Sequence, residues 1–159
     1  MQSDYCRPEA VTELFFAASD GNLSLIKDIL YAWNHERASG SAIEYDTNTQ
    51  DLNGSTACLL AARNGALDTL RFLLGAAMPR ANARMRDKNG LSPLAAAAEN
   101  GHWESCKLLL DQREEVREDA AGALRRAIRN GRTRCASLLA RAQPSAIHAA
   151  DSHGNNAIL

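Results

Sequence analysis

Four glycines, each set in the same local pattern, constrain the fold of this chain more than any other feature. They are Gly21, Gly65, Gly101 and Gly131, spaced 44, 36 and 30 residues apart. Around them run TELFFAASDGNLSLIKDIL from Thr12, TACLLAARNGALDTLRFLL from Thr56, SPLAAAAENGHWESCKLLL from Ser92 and GALRRAIRNGRTRCASLLA from Gly122. Small or apolar residues precede each glycine. Five residues after it stands Ile26, Leu70, Cys106 or Ala136, and eight after it Ile29, Leu73, Leu109 or Leu139. Self-similarity at a period of about 33 residues is the mark of a repeat architecture. The uneven spacing is what insertions and deletions between fixed helices produce.

One unit reads as two short helices. Thr56 and Ser92 are suited to cap the first, with Pro93 favoured in its opening turn. The helix passes through small residues, Ala61-Ala62 or Ala97-Ala98, that let neighbours approach closely. The glycine ends it by adopting the left-handed conformation without steric penalty. A second helix follows with apolar residues at helical spacing: Leu67, Leu70, Leu73 and Leu74 in one unit, Trp103, Cys106, Leu109 and Leu110 in another. Such pairs cannot bury these faces alone, so neighbouring pairs must stack. Composition agrees, because 45% of the chain is hydrophobic and only 5% aromatic. A core of Ala, Leu and Ile suits close-packed helices better than a β-sandwich.

The stretches DxNGxTxxxxAAxxG at 51–65 and DKNGLSPLAAAAENGHWESCKLLL at 87–110 resemble the ankyrin repeat. The resemblance extends from about Thr12 onward, strongest in the second and third units. The fourth has Gly122-Ala123-Leu124 where Thr-Pro-Leu is usual, and it lacks the preceding Asp-x-x-Gly turn. The family's habitual histidine is replaced by Phe15, Leu59, Ala95 and Arg125, and with it goes the anchor of the hydrogen-bonded network it supports. The resemblance implies an all-α solenoid of stacked antiparallel helix pairs with projecting β-turn or hairpin loops. A single domain over 1–159 would hold repeats at about 11–30, 51–75, 87–111 and 117–141, with an insertion loop at 31–50. Arg7-Pro8-Glu9 reads as the helix start of an N-terminal cap. DSHGNNAIL from Asp151 matches DLNGSTACL from Asp51, so 151–159 reads as a partial fifth repeat and the chain as the N-terminal part of a longer protein.

Several function classes lose support from the residues themselves. The formal net charge of -1 gives no global attraction to nucleic acid or acidic membranes. No apolar run reaches the ~20 residues that span a bilayer, and no secretory signal opens the chain. Cys6, Cys58, Cys106 and Cys135 are widely separated and form no CxxC pair, which argues against a disulfide framework or a zinc site. Three of them fall where the repeat buries a small apolar side chain. An intracellular setting, cytoplasm or nucleus, follows. His35, His102, His148 and His153 stand in no metal-ligand motif, and no phosphate loop occurs. Neither enzyme activity, a metal nor a cofactor is expected of this stretch.

What the resemblance implies is binding of a partner protein or peptide, by a module monomeric in isolation, through a concave face of first helices and loop tips. Carried over position by position, Ser19 and Asp20, Arg63 and Asn64, Glu99 and Asn100, and Arg129 and Asn130 would face the groove. One turn earlier come Phe16, Leu60, Ala96 and Arg126. The loop tips add Leu52, Asn53, Lys88 and Asn89. Such a groove is graded, apolar and acidic at the first repeat and basic at the fourth. It suits a segment with an apolar end and an acidic end.

Two features stay open at this level. Arg125, Arg126, Arg129, Arg132, Arg134 and Arg141 follow Asp111, Glu114, Glu115, Glu118 and Asp119. They read as a mutually neutralised solvated surface, as a site for an acidic partner or phosphate, or as a nucleic-acid contact, although no stacking aromatics are interleaved. In 31–50, Tyr31, Trp33 and Tyr45 are aromatics of the kind found at interface hot spots, or a cage for methylated lysine. Alternatively, Tyr31 and Trp33 extend the preceding helix and cover the core. At the level of the whole protein, the rival to an interaction module is a regulatory or targeting arm of an enzyme whose catalytic domain lies beyond residue 159.

Overall fold

A computed structural model describes residues 8–40, 46–77, 79–112 and 119–147. Cys6, Arg7, Tyr45, Glu114, Glu115, Glu118, His148, His153 and the partial repeat at 151–159 lie outside the described residues. Within them stand α1 (Pro8–Asp20), α2 (Leu23–Ala38), α3 (Ala57–Asn64), α4 (Leu67–Gly75), α5 (Pro93–Asn100), α6 (Trp103–Gln112), α7 (Ala120–Arg129) and α8 (Thr133–Ala142). A short 3-10 turn, Pro144–Ile147, packs on α7 and α8. No strand occurs among the described residues. Consecutive helices form hairpins. The first helices α1, α3, α5 and α7 pack each on the next as an inner row, and α2, α4, α6 and α8 do so as an outer row. This is the stacked solenoid that the repeat pattern implied.

The local causes are visible atom by atom. Thr56 Oγ1 accepts the Leu59 N–H at 3.2 Å and Ser92 Oγ accepts the Ala95 N–H at 3.3 Å, so both hydroxyls satisfy a donor left over at the helix start. Pro93 occupies the first turn, where its missing N–H costs nothing. Gly65 and Gly101 end α3 and α5 with φ of 71° and 89°. They have a second reason to lack a side chain. A Cβ on Gly65 would stand 2.7 Å from His102 Cε1, and one on Gly101 would stand 3.0 Å from Arg132 Cδ. The residue after the glycine in one unit therefore covers the glycine of the unit before.

The core sits between the two rows. Ala17, Ala18, Ala61, Ala62, Ala97, Ala98, Ala123 and Ala127 line the tightly packed inner helices. Ile26, Ile29, Leu70, Leu73, Leu109 and Leu139 fill it from the outer row, each fully buried and contributing roughly 1.5–3 kcal/mol. Cys58, Cys106 and Cys135 are buried and unpaired by disulfide. Burial pushes the Cys58 thiol up to about 12. Cys106 is pushed up by a side-chain hydrogen bond with Cys135 and by burial, while the same bond lowers Cys135. Across the outer surface, Lys27 Nζ lies 5.5 Å from the Phe72 ring centre and the Arg134 guanidinium carbon 4.7 Å from that of Trp103. These cation–π contacts join α2 to α4 and α6 to α8.

α1 begins at Pro8, within the helix start read at Arg7-Pro8-Glu9. One boundary differs from the sequence reading: the expected loop at 31–50 is helical over its first eight residues, because α2 runs on to Ala38. Ile26, Ile29, Leu30 and Trp33 stand at i, i+3, i+4 and i+7, so one buried stripe crosses the supposed boundary. Trp33 is 1% exposed and belongs to the core; as a partner-binding anchor it is corrected here. Tyr31, 75% exposed, points away from that stripe.

Candidate functional site

The inner face is built from turns of fixed shape and the first helix of each pair. Asp51 Oδ1 accepts the N–H groups of Asn53 and Ser55 at 2.8 and 2.7 Å, and Asp87 Oδ1 accepts those of Asn89 and Leu91, both at 2.9 Å. The Asp-x-Asn-Gly spacing thus makes the same aspartate-anchored turn twice. Lys88 N–H donates to Asn53 O at 2.9 Å, joining the two tips. Gln50 Nε2 donates to Gly54 O at 2.6 Å and to Arg86 O at 3.2 Å, which fixes the loops further. Held this way, Leu52 is 90% exposed at its tip.

Between α1, α3 and the Leu52 loop lies a cavity of about 580 Å³. Phe15 and Phe16 from α1, Leu60 from α3, and Leu52 with Asn53 from the loop line it. Phe16 is 68% exposed. A second cavity, of about 390 Å³, lies between α5 and α7. Arg86, Ser92, Asp119, Arg125, Arg126 and Arg129 line it. Arg126 Nη1 lies 2.8 Å from Glu99 Oε2. Arg86 pairs with Asp119 and also donates to Gly90 O at 3.0 Å. Arg129 is exposed and has no ion-pair partner among the described residues. One end of the face is therefore apolar and the other rich in guanidinium groups.

The remaining expected site residues lie between or beside these cavities. Arg63 reaches Asp87 at 3.7 Å. Asn64 Nδ2 donates to Ser19 O at 3.0 Å and Ser19 Oγ at 2.7 Å, tying α3 to α1. Asn100 and Asn130 turn their amides back onto Ala96 O and Arg126 O at the ends of their own helices. Asp20, Lys88 and Asn89 are exposed, whereas Ala96 is fully buried and offers no groove surface. Phe15 and Arg125, absent from the expected set, line the two cavities. They share one position in the repeat, the one where the family's histidine is replaced, and that departure was the signal for them. Arg86 and Asp119 carried no comparable signal, since their pairing joins residues 33 apart across two units.

Among the described residues, no His, Cys, Asp and Glu side chains gather into a group able to hold a metal ion. No helix among them is long and apolar enough to cross a membrane. Buried hydroxyls without a partner occur at Thr47 and Thr69, both away from the two cavities.

A family model described as ankyrin repeats (3 copies) matches residues 14–120 and again 77–156. The chain is also 32% identical over 105 residues to the rat (Rattus norvegicus) protein titled glutaminase liver isoform, mitochondrial. That similarity covers 66% of this chain and 15% of the rat protein, so it concerns a small part of that enzyme.

Proposed function

Because the chain belongs to the ankyrin-repeat family, we propose that it is a protein-interaction module that holds a partner protein or peptide on its inner face. The observation that carries this reading is the exposed pair Phe16 and Leu52. Both line one cavity whose shape is set by the Asp51 turn and α1. Large apolar side chains held rigidly in water have an unfavourable setting that a partner relieves. The polar positions around them, among them Asn53, Asn64, Lys88, Asn89 and Asn100, fit the rim of such an interface. Buried, unpaired thiols at Cys58, Cys106 and Cys135 suit a reducing compartment, cytoplasm or nucleus. The module works as a monomer in this reading.

The test is affinity capture with three versions of the protein: unaltered, an inner-face variant (Arg126→Glu with Arg129→Glu) and an outer-face variant (Arg71→Glu with Lys107→Glu). Loss of a specific partner from the inner-face variant alone is the expected result. Equal recovery by both variants would defeat the proposal.

A second reading is that the stack serves as the regulatory or targeting arm of a larger enzyme. It is favoured by the similarity to a stretch amounting to 15% of a glutaminase. In it the inner face still binds, but the bound surface belongs to the enzyme or its regulator. Sequencing the complete transcript discriminates, since a catalytic region in the same reading frame supports the arm and further repeats support a scaffold.

A further inference from the structure

We propose that the cavity between α1 and α3 takes a linear segment of a partner protein in which a large apolar side chain is flanked by lysine or arginine within about two residues on each side. This deepens the interaction reading above and rests on it.

The apolar seat is argued from position. Phe16 on α1 and Leu52 at the tip of the Asp51 turn are both exposed, and both line the cavity. The residue at the place of Leu52 in the next unit is Lys88, and at the place of Phe16 in the fourth unit it is Arg126. Neither position therefore needs an apolar side chain for folding. Phe15 and Leu60, each only partly buried, line the same cavity. Its volume of about 580 Å³ holds an aromatic or long aliphatic side chain with room for backbone.

Charge decides what stands beside that side chain. The exposed residues of α1 are Glu9, Thr12, Glu13, Phe16 and Asp20, and the helix carries no basic residue. At about 3.6 residues per turn, Glu13 and Asp20 fall within about 60° of Phe16 around the helix axis. On the loop side Asp51 lines the cavity, so carboxylates border it from both elements. None of Glu9, Glu13, Asp20 and Asp51 forms an ion pair among the described residues. Arg63, the basic residue of α3, is turned to Asp87, and the adjoining tip adds one cation, Lys88. A lysine or arginine on an incoming segment meets uncompensated charge here, and an acidic one meets repulsion.

The spacing follows from α1. Glu13 stands three residues before Phe16 and Asp20 four after it, roughly 4.5 and 6 Å along the axis at about 1.5 Å per residue. An extended segment laid along α1 advances about 3.3 Å per residue, so its basic side chains belong one or two positions from the apolar anchor on either side. A second copy of the chain fits less well, because meeting the cavity with its own would set like charges against each other.

The experiment uses immobilised peptide pools, degenerate except for a central Phe with Lys, Gln or Glu two positions to each side. A fourth pool has Lys at both flanks and Ser in the centre. At low salt the lysine-flanked Phe pool should retain the protein about fivefold better than the glutamine-flanked pool, as two exposed ion pairs supply, with the glutamate-flanked pool weakest. The difference should shrink at high salt, and the central-serine pool should retain little. Glu13→Lys combined with Asp20→Lys should turn the preference toward glutamate flanks, and Phe16→Ser should remove retention by every pool. All three residues are exposed, and circular dichroism checks the fold. The proposal is overturned by equal retention of the three Phe pools, including none by any, or by a lysine preference that survives the charge exchange. It is equally overturned by retention that Phe16→Ser leaves intact, or by a central-serine pool binding as well as its Phe counterpart. Self-association that Phe16→Ser abolishes would give the cavity to a second copy and overturn it too. Each of these outcomes leaves the capture experiment with the Arg126 and Arg129 variant unaffected, so the two readings fail separately.

Discussion

His102 lies over Gly65, with its Cε1 2.7 Å from where a Cβ on that glycine would stand. Gly131 has the same left-handed backbone, φ 66°, but no atom within 4 Å of the equivalent point. The two positions separate backbone strain from stacking contact. Gly131→Ala should cost about 1–2 kcal/mol, the left-handed penalty alone. Gly65→Ala should cost more, and His102→Ala introduced beside it should recover the excess. Urea denaturation of the four proteins measures this. Equal costs at the two glycines would show that the imidazole yields freely.

Trp33 and Tyr31 sit two residues apart on α2 with opposite fates, 1% and 75% exposed. Trp33→Ala should lower stability by about 3–5 kcal/mol, as expected for emptying a large buried site. Tyr31→Ala should change it by less than about 0.5 kcal/mol. Thermal and urea unfolding supply both values. A near-neutral Trp33→Ala with lost partner capture would restore the indole to the interface.

Cys58 gives stability a pH dependence. Its thiol titrates near 9.0 in the ordinary setting and is pushed up to about 12 by burial in the core. A raised pKa means the folded state favours the protonated form. The contribution is therefore whole below pH 9 and is lost as pH rises toward 12, at about 1.4 kcal/mol per pH unit. Cys58→Ala should be less stable than the native chain at pH 8, and the gap should narrow between pH 9 and 10.5. Denaturant titrations at fixed ionic strength follow it; a constant gap would mean that water reaches the sulfur.

Much of this architecture was legible in the chain because it depends on local chemistry repeated at matching offsets. Thr56 and Ser92 mark helix starts and Gly65 and Gly101 mark ends, since a cap or a left-handed residue acts within one turn. Asp51 and Asp87 announced their turns for the same reason. The extension of α2 was also written in Ile26, Ile29, Leu30 and Trp33, but the repeat template ends its second helix sooner, and the template masked the periodicity. At the candidate site, exposed single residues such as Phe16, Leu52 and Arg129 were readable from repeat position. The enclosure of the two cavities was not. It depends on which side chains of α1 and α3, or of α5 and α7, meet across units, and on long-range pairs such as Arg86 with Asp119.

The Arg126–Glu99 pair offers a way to alter the charge of the α5–α7 cavity without replacing any of the arginines that line it. Glu99 comes from the third unit and Arg126 from the fourth, and both side chains are 37% exposed. An ion pair so placed is worth only ~0–1 kcal/mol after screening and side-chain entropy. Glu99→Gln should therefore leave the unfolding midpoint nearly unchanged. It should also release the Arg126 guanidinium and raise the positive charge of the cavity by one. Recovery of a partner held on the inner face should then change more at low salt than at high salt, because the altered term is a partly screened charge interaction. Affinity capture at two ionic strengths, with unfolding measured in parallel, checks both parts. The same recovery as the unaltered protein at both ionic strengths would mean that Arg126 is not in electrostatic reach of the partner.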